Sequence, residues 1–285
     1  MTGESADLGK LRLSHPSGAT AEAYLQGAHV TSWTPAGGAE ALFVSRAAKF
    51  QPGTAIRGGV PVVFPQFAEL GPLPKHGFAR TLPWERVEGG DATSVRLRLR
   101  DSDETQRIWP HAFLAELAVE LGADRIALTL SIRNTDTAPF TFSAALHTYL
   151  RVGDVREMVI EGLHGVRYRD RESGEELKVD DAREVTAGGE VDRVYLDTPP
   201  QLRVHDRANG RTFRVQSTGF ADTVVWNPWA AGAAKLDDME DEEYLEMICV
   251  EAAQVGSPVT LEPGAGWTGV QRIQVIPDRS AEPAD

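Results

Sequence analysis

The chain has 285 residues, 41% of them hydrophobic and 25% charged, enough apolar material for a full core, and a formal net charge of −13. That charge argues against nucleic acid and anionic membranes as partners. A lone cysteine, Cys249, excludes an internal disulfide, and neither an apolar leader in residues 1–20 nor a run of about 18 apolar residues occurs, so a cytoplasmic protein is expected.

In chain order, the first strands are expected at Ala21–Leu25 and His29–Trp33. The segment that follows is a poor recipe for a helix, because Pro52, Pro61, Pro65, Pro72 and Pro74 would break one repeatedly. Among its glycines and aromatics stand Arg57, His76 and Arg80, a mixture suited to a pocket built from loops. Period-two alternation then takes over. Val95, Leu97 and Leu99 alternate with Arg96, Arg98 and Arg100, and the arginine stripe reads as a solvated strand face. Phe113–Leu121 and Ile126–Ile132 alternate in the same way, and Gly122-Ala-Asp124 between them suggests a hairpin. Further strands are expected at Phe140–Val152, Phe213–Gln216, Thr223–Trp226, Met247–Ala253 and Val270–Ile276. The best helical window is the acidic stretch Lys235–Tyr244, with Leu236 and Met239 three apart. This pattern predicts an all-β fold, a large antiparallel β-sandwich with few short helices, as one domain over 1–285 with frayed ends at 1–8 and 278–285.

Two strands break their apolar pattern with titratable groups. In Phe140–Val152, His147 shares a face with Thr141, Ser143, Tyr149 and Arg151, away from the greasier side. A hydrogen-bonded structural histidine would satisfy that placement as well as a functional one. In Met247-Ile-Cys-Val-Glu-Ala-Ala253, apolar residues occupy both faces and Glu251 is the one carboxylate. Burial raises the pKa of an unpaired carboxyl toward the range of a general base, although a structural, hydrogen-bonded glutamate fits equally well. Other chemistries find little support. Gly264-Ala-Gly266-Trp-Thr-Gly269 matches G-x-G-x-x-G, but Pro263 precedes it and a period-two run follows, so a hairpin turn is expected in place of a nucleotide loop. The seven histidines show no metal-ligand spacing, so no metal is expected. Cys249 has no basic neighbour in sequence to make it a thiolate nucleophile, and no G-x-S-x-G elbow occurs.

Six segments together carry a likeness. Arg57-Gly-Gly-Val-Pro-Val-Val-Phe-Pro-Gln-Phe67, Leu73-Pro-Lys-His-Gly-Phe-Ala-Arg80, Ala145-Leu-His-Thr-Tyr-Leu-Arg151, Glu190-Val-Asp-Arg-Val-Tyr195, Val225-Trp-Asn-Pro-Trp229 and Cys249-Val-Glu-Ala252 resemble motifs of the glucose-6-phosphate 1-epimerase family, in the same order. These hexose-6-phosphate mutarotases are a branch of the aldose 1-epimerase-like superfamily. The likeness spans roughly residues 20 to 276.

The resemblance implies a twisted, galactose mutarotase-like supersandwich with a sugar site on its concave face, a sugar phosphate substrate, no cofactor and a monomeric chain. It implies that Glu251 is the catalytic base and His147 the catalytic acid, that Arg57 and Arg80 bind substrate, and that His76 and Asp192 contact the sugar. Lys75 stands where many relatives have a polar residue, often Gln; it either adds a phosphate contact or is simply exposed. Trp226 and Trp229 are equal candidates for stacking on the sugar. Anomers interconvert by ring opening, which needs one group to take the C1 hydroxyl proton and another to protonate the ring oxygen. The alternatives are a mutarotase for unphosphorylated aldoses such as galactose, or a non-catalytic carbohydrate-binding sandwich, which would not need both His147 and Glu251.

Overall fold

The computed structural model describes residues 8–171 and 177–278, so all of the ends expected to fray except Leu8 and Asp278 lies outside the described residues. Alternating burial builds the sheets. Ser94–Arg100, Phe113–Leu121 and Arg125–Asn134 each bury every second side chain, and Gly122 closes the expected hairpin by donating its N–H to the Arg125 carbonyl at 2.8 Å. Arg96 and Arg100 are exposed, and Arg98 pairs with Glu116 at 2.7 Å, so the stripe is a solvated face.

Among the described residues the strands form three antiparallel sheets. A nine-stranded sheet runs from Glu184–Val185 through Met158–Glu161, Gln201–Asp206, Arg211–Thr218, Gly266–Pro277, Arg125–Asn134, Phe113–Leu121 and Ser94–Arg100 to Glu85–Arg86. An eight-stranded sheet runs from Leu177–Val179 through Arg167–Asp170, Val191–Tyr195, Asp222–Asn227, Met247–Leu261 and Phe140–Leu146 to Val62–Val63, and Tyr149–Arg151 also pairs with its long strand Met247–Leu261. Lys10–Ser14, Thr20–Tyr24 and His29–Thr34 make the third. Leu97, Leu117, Leu130, Phe213 and Ile273 of the nine-stranded sheet share one apolar cluster with Phe142, Ala144, Leu146, Val250 and Ala252 of the eight-stranded sheet. Two sheets packed over a common core make the β-sandwich that the alternation predicts.

Three expectations need correction, and one element is unforeseen. Phe140–Val152 is not one strand: it breaks at His147–Thr148, where the His147 N–H turns to the Pro61 carbonyl at 3.0 Å. Lys235–Tyr244 is not a helix. Trp229–Ala233 is helical and Glu243–Glu246 is a 3-10 turn, because Asp238 is drawn to Arg57 and Glu243 is buried, accepting hydrogen bonds from Ser45 Oγ and the Arg46 N–H. The Gly264 turn does not close a hairpin, since the strands on either side of it belong to different sheets. A helix not expected from the sequence, Asp103–Ile108, is set by a capping box between Ser102 and Thr105.

One polar rivet crosses the core beneath the region of interest. Gln271, fully buried on the nine-stranded sheet, accepts from Thr148 Oγ1 at 2.5 Å and donates to the Val250 carbonyl at 3.0 Å. Those two residues adjoin His147 and Glu251. Gln271→Leu would leave a buried hydroxyl and a carbonyl without their partner, and is expected to lower stability by about 1–3 kcal/mol. A urea titration with an unchanged midpoint would contradict that reading.

Candidate active site

Antiparallel register brings distant residues together on one face. Leu146↔Ala252 and Tyr149↔Cys249 pair in the same register on either side of the strand break, which sets His147 opposite Glu251. Glu251 in turn pairs with Val224, and Cys249 with Trp226, which pairs with Asp192. Because side chains alternate, Asp192, Trp226, Cys249 and Tyr149 form one row across the sheet, and Val194, Val224, Glu251 and His147 form the next row on the same face. The residues between them, such as Val225 and Val250, point into the main core. Two small apolar clusters flank the rows, one around Phe67, Val194 and Val224, the other around Phe43, Tyr149 and Cys249.

Loops from the 57–80 segment wall this face and close a cleft of about 290 Å³, near the small end of ligand pockets. The cleft collects Arg57, Lys75, His76, Arg80, His147, Asp192 and Glu251. The seven residues to which the resemblance assigns catalysis or substrate binding therefore line one cavity. Trp226 lines it too, whereas Trp229 packs against Tyr244 with ring centroids 5.2 Å apart.

The glycines explain the tight walls. Gly58 has φ +108, and an added Cβ would collide with the Phe43 carbonyl. Gly77 has φ +69 and presses against the Phe64 carbonyl in the same way. Between them, His76 itself adopts φ +64, a conformation that costs a non-glycine residue about 1–3 kcal/mol. It is held there by Ala68: the His76 N–H donates to the Ala68 carbonyl at 3.0 Å, and the Ala68 N–H donates to His76 Nδ1 at 3.2 Å. Nδ1 accepts, so the neutral ring carries its proton on Nε2. Burial, with His147 and Arg80 close by, keeps this imidazole well below the usual histidine range.

The central contact is His147 Nε2 to Glu251 Oε1 at 3.3 Å. The Glu251 side chain is only 1% exposed, and its Oε2 has no hydrogen-bond partner. Burial, then the nearby Asp192 carboxylate, pushes its pKa well above the usual carboxylate range. Burial, then Arg80 and Arg57, pushes the His147 pKa well down. Its ring stacks on Tyr149 at 4.8 Å, which fixes the plane of the imidazole. Both environments favour the uncharged form, so the pair carries a single proton between neutral histidine and carboxylic acid.

The two arginines differ. Arg57 donates to Asp238 at 3.0 Å and to the Tyr149 hydroxyl at 3.1 Å. Burial opposes its charge, but the phenol and Asp238 outweigh that and hold its pKa above the ordinary value. Among the described residues Arg80 donates to the Lys75 carbonyl alone, at 3.0 Å, its buried Nε has no partner there, and burial pulls its pKa down. Lys75 is 59% exposed at the rim and pairs with Glu69 at 3.1 Å. Arg171 also lines the cleft, 3.3 Å from Asp192 and 3.6 Å from Glu69. No motif in the sequence marks Arg171. Only the pairing of Arg167–Asp170 with Val191–Tyr195 puts it beside Asp192. The cleft therefore offers a coupled proton donor and acceptor beside guanidinium groups, the equipment for acid–base chemistry on a small anionic or hydroxylated ligand.

Known proteins share this arrangement of chain. A family model described as aldose 1-epimerase matches residues 9–274. A protein of Cenchrus ciliaris carrying the provisional name glucose-6-phosphate 1-epimerase is 41% identical over 268 residues, covering 90% of this chain and 82% of the relative. A protein of Escherichia coli K12 with the same provisional name is 38% identical over 260 residues, covering 87% and 83% of the two chains. The crystal structure of a provisionally named mutarotase from Salmonella typhimurium superposes with a TM-score of 0.86 at 32% identity, covering 94% of this chain and 90% of that one. With the match spanning nearly all described residues, this chain belongs to the aldose 1-epimerase family.

Proposed function

We propose that this protein interconverts the α and β anomers of aldohexose 6-phosphates, chiefly glucose 6-phosphate, by acid–base opening and closure of the ring. The observation that carries the reading is the cross-strand pair His147–Glu251, 3.3 Å apart, in a cleft where Arg80 lacks a carboxylate partner. The names of the relatives support the same substrate class.

The pair needs one proton. Transfer of that proton from the Glu251 carboxyl to His147 Nε2 yields carboxylate and imidazolium without changing the net charge. The carboxylate then takes the proton of the C1 hydroxyl as the imidazolium protonates the ring oxygen. The bond from C1 to the ring oxygen breaks, and C1 becomes the aldehyde carbon. Rotation about C1–C2 presents its other face, and closure runs the same transfers backwards, restoring both groups. Asp192 and the His76 Nε2–H would hold sugar hydroxyls, where fixed orientation contributes to rate. Arg80 and Arg57 would take the 6-phosphate, since guanidinium forks match phosphate oxygens. Arg80 supports a phosphorylated over a free sugar, because a half-buried guanidinium with a buried Nε and no carboxylate among the described residues gains most when an anion arrives.

Glu251→Gln is expected to slow anomerisation of freshly dissolved α-glucose 6-phosphate at least about 100-fold, followed by polarimetry or NMR. An undiminished rate would remove Glu251 from the chemistry. Arg80→Ala is expected to raise KM for glucose 6-phosphate about ten- to a hundredfold while changing that for glucose little. Equal losses for the two sugars would rule out phosphate recognition by this side chain.

The pH profile follows from the direction of the two shifts. A second proton enters the pair only below the lowered pKa of His147, and the shared proton leaves only above the raised pKa of Glu251. The His147 ring of the ligand-free protein, followed by NMR, is therefore expected to stay neutral through neutrality and to gain its second proton well below pH 6.5. Protonation at 6.5 would mean that burial and the two arginines do not perturb His147.

A further inference from the structure

Cys249 plays no part in ring opening, yet it lies buried beneath the cleft, beside the groups that do. A ring nitrogen of His147, the Cys249 sulfur and a Glu251 carboxylate oxygen all lie within 4.8 Å of one another. Cys249 and Glu251 are two residues apart on one strand and so share its face, while His147 faces Glu251 from the neighbouring chain segment. All three are buried, at 0%, 1% and 7% exposure.

Nitrogen, thiolate and carboxylate on a small cluster match the ligand preferences of zinc. With metal–nitrogen and metal–oxygen bonds of about 2.0–2.1 Å and a metal–sulfur bond of about 2.3 Å, a tetrahedral ion sets ligand separations of about 3.3 to 3.6 Å. The His147–Glu251 separation of 3.3 Å already matches one such edge, and with the three ligand atoms all within 4.8 Å of one another no edge needs to close by more than about 1.5 Å. Glu251 Oε2, buried and without a hydrogen-bond partner, offers a further lone pair.

We propose that His147, Cys249 and Glu251 form a binding site for a zinc-class divalent cation, with water as the fourth ligand, and that the bound ion inhibits the enzyme. Inhibition follows because the metal occupies lone pairs that ring opening requires; this clause rests on the proposed function, whereas metal binding does not. Binding displaces the thiol proton of Cys249 and the carboxyl proton of Glu251 to solvent, and the two resulting negative charges balance the ion. Arg57 and Arg80 nearby oppose a cation, and His147 Nδ1 has no outer partner to orient the ring. Both features make the site weaker than a structural zinc site and keep it reversible.

The test uses the full chain without an affinity tag. Cobalt(II) serves as the spectroscopic probe, because thiolate coordination produces a near-ultraviolet charge-transfer band. The wild type is expected to develop that band, zinc is expected to displace cobalt, and zinc is expected to inhibit anomerisation in competition with glucose 6-phosphate. Cys249→Ala is expected to abolish the band and weaken zinc inhibition at least about tenfold, with its uninhibited rate retained. Absence of the band in the wild type at millimolar cobalt, or unaltered zinc inhibition in the variant, would overturn the site. The wild-type band needs neither a stable variant nor activity. A protein that shows the band but does not accelerate anomerisation would keep the metal site and remove the proposed function.

Discussion

A slip of one residue along Met247–Leu261 would turn Glu251 and Cys249 into the main core and present Val250 and Ala252 to the cleft. The pairing of Glu251 with His147 depends on that register. It is secured from the core side, where Val250 and Ala252 are buried, and by Gln271, which holds the Val250 carbonyl and the Thr148 hydroxyl at once. The break after Leu146 preserves the same register into Tyr149–Arg151 while freeing His147 from regular strand pairing. The imidazole stands opposite the carboxyl because two strand segments agree on one alignment.

Burial then decides the charge state of the pair. An ion pair in this position would have to recover several kcal/mol of lost hydration for each partner. A neutral imidazole beside a carboxylic acid avoids that penalty and stays one proton transfer from the ionic form. Asp192 raises the cost of ionising Glu251, whereas Arg80 and Arg171 lower it. Any ligand that changes how these three side chains are paired would therefore change the balance between the two forms of the dyad.

The sequence revealed most where a single period or motif governed. Alternation gave Ser94–Arg100 and the hairpin from Phe113 to Asn134 with their faces correct, because one side is core and the other solvent. Glu251 stood out as a carboxylate in a strand buried on both faces, and it is one. Short strands such as Arg167–Asp170 and Leu177–Val179 left little trace, since two to four residues hold too few alternations to register. Arg171 and Gln271 escaped notice for another reason. Each matters through a partner far away in sequence, Asp192 for the first and Thr148 with Val250 for the second. The acidic stretch 235–244 misled because its charges serve tertiary contacts, Asp238 to Arg57 and Glu243 to Ser45, and these override helical spacing.

The same tertiary pairing bears on how an acidic protein can hold an anion. With a formal charge of −13 the molecule repels a phosphate at long range, but at physiological salt that repulsion fades over about 8 Å. What remains is the local arrangement inside the cleft. There Asp238 already neutralises Arg57 and Glu69 already pairs with Lys75, so neither offers a free charge. Arg80 is different: half-buried, with its Nε buried and, among the described residues, one backbone carbonyl as its side-chain partner. A guanidinium in that state attracts an anion without having to surrender a carboxylate first. Under the proposed function, selectivity for a charged sugar would therefore rest on which arginine the fold leaves uncompensated, more than on how many arginines line the cleft.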